Sequence, residues 1–215
     1  MSNQTIYMIG DSIIDSVPYV AHNCDTVSVL MQKLDDEGFD GVEVQKWAVD
    51  GYTTPDVINQ LVVAKRDGKI GQRKPNTVGV LSVGGNDALQ ARGVMLQQVT
   101  LVYEAFGVID KPLKEFRRNY QNALKMMVQS FEKVIVFTIY NKIPDIVTNA
   151  EKNALSLFND IITEEVNYQI MEGENLELLD LRVLCNDPAD YSVVSPIEPS
   201  HQGSQKIVNA LINKL

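Results

Sequence analysis

Tyr7-Met8-Ile9-Gly10-Asp11-Ser12 is an apolar run that stops at Gly-Asp-Ser, and the rest of the chain is arranged around it. Thr5 to Ile9 is short, apolar and partly β-branched, with a glycine stop, which is the pattern of a buried strand. A serine directly after such a strand sits at the carboxyl edge of a sheet, where open α/β folds place their ligand crevice. Glycine permits a sharp turn there, and Asp11 can bond back to its own loop. Ser12 then presents its hydroxyl and its backbone N–H to one small space. Gly-Asp-Ser is also an ordinary turn, so the assignment leans on a second glycine-rich strand end, Leu81-Ser82-Val83-Gly84-Gly85-Asn86-Asp87.

Working outward, Ile13 to Val20 reads as a loop along the crevice. Asp25 or Thr26 can cap a helix with Val27, Leu30, Met31 and Leu34 at helical spacing, stopped by Gly38. Val42 to Trp47 alternates like a half-buried edge strand. It runs into Ala48-Val49-Asp50-Gly51-Tyr52-Thr53-Thr54-Pro55, a loop followed by a cap and a first-turn proline. Thr77 to Val83 is a near-continuous apolar run, as in a central strand. Residues 88 to 109 read as a helical insertion near the crevice, followed by a helix from Pro112 to Phe131. Val134 to Ile139 and Leu176 to Leu181 are the last strands, with helices over Asn149 to Met171 and Gln202 to Leu215.

Five strands alternating with helices predict one domain over residues 1–215. Its expected class is α/β, a three-layer α/β/α, flavodoxin-like fold around a mostly parallel five-stranded sheet. The 215 residues can bury a full core without a disulfide or metal staple. A net charge of −9 argues against a nucleic-acid surface or an anionic membrane partner. The longest apolar runs are strand-length, so no membrane insertion is expected. Met1-Ser2-Asn3-Gln4 leaves no room for a signal peptide before the first strand, and a cytoplasmic location is expected. Cys24 and Cys185 lack metal-ligand spacing and read as free buried thiols. Neither a cofactor nor a metal is expected.

Three strand ends converge: Ser12 after the first, Gly51 after the second, and Gly85-Asn86-Asp87 after the third. Acyl transfer needs a nucleophile and donors aimed at the developing oxyanion. Ser12 can supply a hydroxyl and an N–H, Gly51 a backbone N–H, and Asn86 a side-chain amide. In this order the three blocks resemble the GDSL/SGNH hydrolase superfamily, and the resemblance covers nearly the whole chain. It implies ester cleavage on a flavodoxin-like fold, with Ser12 as nucleophile and Ser12, Gly51 and Asn86 as oxyanion hole.

The fourth block departs from that pattern. The family has Asp-x-x-His before its last helix, whereas this chain reads Ser195-Pro196-Ile197-Glu198-Pro199-Ser200-His201-Gln202-Gly203. One alignment keeps His201 as the base, with Glu198 in the aspartate's role. The other anchors on Pro199-Ser200 and Gly203, and puts Glu198 on the histidine position and Ser195 on the aspartate. The second fits more residues without a gap, and resembles a divergent branch with Ile-Glu-Pro-Ser in this place. An exposed glutamate, with a reference pKa of about 4.3, is a poor base toward a serine hydroxyl. Burial beside other acids would raise that value.

The expected function is therefore a serine hydrolase, esterase- or lipase-like or a carbohydrate O-deacylase, acting on a small ester. The catalytic candidates are Ser12, Gly51, Asn86, Glu198 and His201. The rival is a binding protein on the same fold that has lost proton transfer for want of the usual histidine. Asp15, Asp50, Asp87 and Glu198 read either as a cation-binding pocket or as hydrogen-bonded loop supports, the latter being preferred.

Overall fold

The computed structural model describes residues 4–143 and 148–215. Of the four residues weighed against a signal peptide, Met1 to Asn3 lie outside the described residues.

In chain order the main elements are β1 (Thr5–Gly10), α1 (Thr26–Asp36), β2 (Glu43–Lys46), α2 (Thr54–Arg66), β3 (Lys74–Ser82), α3 (Gly85–Ala91), α4 (Val102–Ser130), β4 (Phe131–Phe137), α5 (Asn149–Met171), β5 (Leu176–Leu179), α6 (Leu181–Leu184) and α7 (His201–Ile212). The five strands form one sheet in the order β2-β1-β3-β4-β5. Every pairing is parallel, with Ile9 beside Leu81 and Gly10 beside Ser82 at the carboxyl edge. This is the expected flavodoxin-like order, and it puts the ends of β1 and β3 side by side.

Side-chain alternation along the strands builds two cores. Ile6, Met8, Val78, Val80, Ile135 and Phe137 face α1 and α7. Ile9, Leu81, Val134 and Val136 face α2, α4 and α5. The period of two across a strand sends neighbouring residues to opposite layers, which is why the central strands read as unbroken apolar runs. α1 and α7 are joined by buried hydroxyls: Thr26 Oγ1 and Ser204 Oγ lie 3.2 Å apart although 178 positions separate them in the chain.

Several boundaries differ from expectation. The region from 88 to 109 resolves into the end of α3, a 3-10 turn at Arg92–Leu96 and the start of α4. α4 begins at Val102, not Pro112, and runs through the proline. Its start is tied by Glu104, whose carboxylate accepts from the Thr100 and Leu101 N–H groups at 2.9 and 3.0 Å. Pro112 removes one internal bond without ending the helix. β4 starts at Phe131, directly after α4 ends at Ser130. β5 stops at Leu179 because Asp180 caps α6, accepting from Arg182 N–H. Both cysteines are free, but only Cys185 is buried. Burial pushes its thiol up to about 12. No helix among the described residues is long and apolar enough to cross a membrane.

Candidate active site

β1 delivers Ser12 through a turn that only glycine can make. Gly10 has φ +134°, and a Cβ there would sit 1.7 Å from the Ser82 carbonyl oxygen. The strand end is therefore pressed against β3. Asp11 N–H donates to Ser82 O at 3.0 Å, and Ser82 Oγ donates to Asp11 Oδ1 at 2.8 Å. Asp11 is buried and also accepts from Ile13 N–H at 3.3 Å. Burial raises its carboxyl to about 7, against the lowering effect of the Ser82 and Ile13 hydrogen bonds. Ser12 follows, buried at the mouth of the crevice.

The loop after β2 is fastened to this edge. Val49 N–H donates to Gly10 O at 3.0 Å, and Asp50 N–H to Asp15 Oδ2 at 3.1 Å. Gly51 lies next, exposed, at φ +83°. α3 is tied to the same loop, since Asn86 Nδ2 donates to Tyr52 O at 2.9 Å. Asp87 Oδ2 accepts from Thr54 N–H at 2.9 Å and so caps α2. Among the described residues, no acceptor takes the N–H of Ser12 or of Gly51. The Asn86 amide uses one hydrogen on Tyr52 and has a second to give.

The last loop brings the fourth candidate. Glu198 is buried and lines the same cleft as Ser12, whose hydroxyl is near enough to lower the carboxyl's pKa. Its Oε2 is enclosed without any partner among the described residues. Burial pushes the Glu198 carboxyl up to about 8; the nearby Ser12 hydroxyl works against this, and the charges of Asp11 and Asp50 add to it. Asp11, Ser12, Asn86 and Glu198 all line one cleft. His201 does not line it. It is exposed on the first turn of α7, where its Nε2 lies 3.0 Å from Gln205 Nε2. Ser195 contributes a backbone carbonyl that accepts from Glu198 N–H at 2.9 Å.

A model of the GDSL-like lipase/acylhydrolase family matches residues 6–207. This chain belongs to that family. Members of the fold among solved structures include the lipase Lip_vut3 from a goat rumen metagenome, with a TM-score of 0.73 and 18% identity over 98% of this chain and 97% of that one. The psychrotrophic esterase EstA from Pseudoalteromonas sp. is similar at 0.65 and 16%, covering 98% and 96%. The acetyl xylan esterase AlAXEase is similar at 0.66 and 19%, covering 97% and 98%. At these identities the likeness is one of fold. No curated protein matches the chain in sequence.

Other acids around this GDSL-family site are committed to supporting its loops. Asp15 pairs with Lys46, Asp50 Oδ2 accepts from the Tyr19 hydroxyl at 2.6 Å, and Asp87 caps α2. Among the described residues they form no group able to hold a metal ion. Two supports had no sequence signal. Asn159 is buried in α5 and clamps the chain after β4, accepting from Ile139 N–H and donating to Ile139 O, both at 2.8 Å. Asp190 is buried under the Glu198 loop and accepts from Gln202, Lys206 and Asp187 N–H.

Proposed function

We propose that this chain cleaves carboxylic esters with Ser12 as nucleophile and Glu198, rather than His201, as general base. The observation that carries the proposal is the buried Glu198 carboxyl lining the same cleft as Ser12, with its Oε2 left without a partner among the described residues. A glutamate in water is too weak a base for this task, but one held near 8 falls close to the operating range of a catalytic base. Burial supplies what the missing histidine would have supplied.

Ser12 Oγ attacks the ester carbonyl carbon while its proton passes to Glu198. The negative charge that forms on the carbonyl oxygen is met by the N–H groups of Ser12 and Gly51 and by the free Asn86 amide hydrogen. Collapse of that adduct expels the alcohol, which takes the proton from Glu198. Water then attacks the acyl-serine, Glu198 accepts its proton, and the acid leaves with Ser12 regenerated. The whole span of residues 1–215 is proposed to act as one domain in this reaction.

The test is labelling by an alkyl fluorophosphonate, alongside hydrolysis of p-nitrophenyl butyrate, each from about pH 6 to about pH 10. Labelling confined to Ser12, absent in Ser12→Ala and growing with pH, is expected. A chain inert to both reagents across that range overturns the reading in favour of a binding protein.

A further inference from the structure

We infer that this chain pairs with a second copy of itself, two-fold symmetrically, through the first half of α4 and the segment that leads into it. The inference is independent of the reaction at Ser12. Along α4, the buried residues Met127, Ala123, Tyr120 and Phe116 follow one another in steps of four and three, the spacing of a helix-packing seam. α2 and α5 cover this part of the helix. The same steps continue toward the N-terminus through Leu113 and Ile109, which are partly covered, to Phe106 and Val102. Those two are 69% and 81% exposed, and α4 buries no residue before Phe116. One seam is thus covered along half of the helix and bare along the other half.

Leu96, Val99, Leu101 and Tyr103 extend the bare half, and none of these or of Val102 and Phe106 lines the Ser12 cleft. Scaled by residue size, the six leave on the order of 800 Å² in water, what one partner gives to a standard interface and more than the roughly 300–600 Å² usual for a monomer's largest patch. Charge selects the occupant. Two copies at −9 repel wherever acidic surfaces meet, but residues 93–103 contain no charged side chain. The charges that border them are already engaged: Arg92 with Glu151, Glu104 with the Thr100 and Leu101 N–H groups, and Asp110 with Lys114. A helix that lies on a bilayer carries a basic polar face. Here Glu104, Asp110 and Glu115 outnumber Lys111 and Lys114, so a second copy fits the patch better than a lipid surface. A two-fold axis across α4 sets the two helices antiparallel, each covering the other's bare seam.

The test is sedimentation velocity on the full chain from about 1 to about 100 μM, with melting temperature followed over the same range. The wild type should move from the mass of one chain toward twice that mass, and its melting temperature should climb with concentration. Phe106→Asp and Val102→Asp place a charge in the seam, and each should weaken the dimer by about tenfold or more. Both positions are exposed in a single copy, so either variant can stand in if the other fails to fold. Met171→Asp, at an exposed apolar position at the end of α5, should leave the dimer intact.

A wild type that keeps the mass of one chain throughout overturns the inference, as does a dimer that survives both Asp variants. A single-copy wild type that floats with phosphatidylcholine vesicles, and stops doing so as Phe106→Asp, also overturns it and assigns the patch to a lipid surface.

Discussion

The loop that carries Glu198 and the segment from Arg92 to Ile109 border the same cleft, but they are held differently. In the first, buried Asp190 gathers Gln202, Lys206 and Asp187 N–H on its carboxylate, while its carbonyl accepts from Ser200 N–H at 2.8 Å. Ser192 N–H donates to Glu198 O at 2.9 Å, and the Tyr191 hydroxyl donates to Cys185 O at 2.8 Å. In the second, Leu96 is 86% exposed and Val102 81% exposed, with Tyr103 and Phe106 also largely in water. Proton transfer of the kind proposed for Glu198 needs its acceptor placed to within a fraction of an ångström, whereas apolar contact is non-directional. The loop bearing Glu198 is cross-tied by directional hydrogen bonds, whereas the other segment leaves large apolar side chains in water.

The largest expected effect tests the loop bearing Glu198. Glu198→Gln keeps shape and hydrogen bonding but cannot accept a proton, so ester turnover should drop by roughly 10²–10⁴-fold. In the wild type, turnover should rise with pH through about 8; a rise centred near 6.5 would point to a histidine instead. Stability carries the same signature with a defined sign. The folded protein holds the Glu198 proton up to about 8, while the unfolded chain releases it near 4.5. Wild-type stability is therefore lost as pH rises through that window. Glu198→Gln lacks this loss, so its melting temperature should gain on wild type between those values.

Asn86→Ala should lower turnover by about 10²–10³-fold, since it removes one of the oxyanion donors proposed above. A variant that instead unfolds would mark Asn86 as a strut through its bond to Tyr52. Asp190→Ala should cost about 1–3 kcal/mol in denaturant titration, because it strands buried donors beneath the Glu198 loop. Phe106→Ser, at an exposed position of α4, should change the stability of a single copy by no more than about 0.5 kcal/mol. An equal cost for Asp190→Ala and Phe106→Ser would break the contrast between the two segments. His201→Ala should do least of all, leaving both turnover and melting temperature where they were.

The strands and the Gly-Asp-Ser turn were legible in the sequence because a parallel strand buried on both faces is written locally, as an apolar run with a glycine stop. The start of α4 was not. Pro112 reads as a first-turn proline, and only the Glu104 cap far ahead of it shows otherwise. The start of β4 was hidden because helix and strand meet at Ser130 and Phe131 with no turn residue between them. At the site, Glu198 and His201 are three residues apart, a spacing that would share one face of a helix. Ser200 is the cap of α7, however, so helical periodicity does not extend back to Glu198. The rise of the Glu198 carboxyl comes from burial by distant segments, which no local pattern records. The cleft is equally silent, since its lining is gathered from segments far apart in the chain.

The buried contact between Thr26 and Ser204 has a consequence for the order in which the molecule forms. It closes a loop of most of the chain, as does the bond from Ser192 to the Tyr19 carbonyl, 173 positions away. Pairing so remote makes for slow folding, although the entropy of closure grows only with the logarithm of loop length. β1, β3 and the loops at their carboxyl edge can come together from the first half of the chain. Glu198 arrives with the final segment. A nascent chain emerging from the ribosome thus displays Ser12 long before Glu198 arrives beside it, so the mechanism proposed for the pair becomes available only once the first and last segments have met.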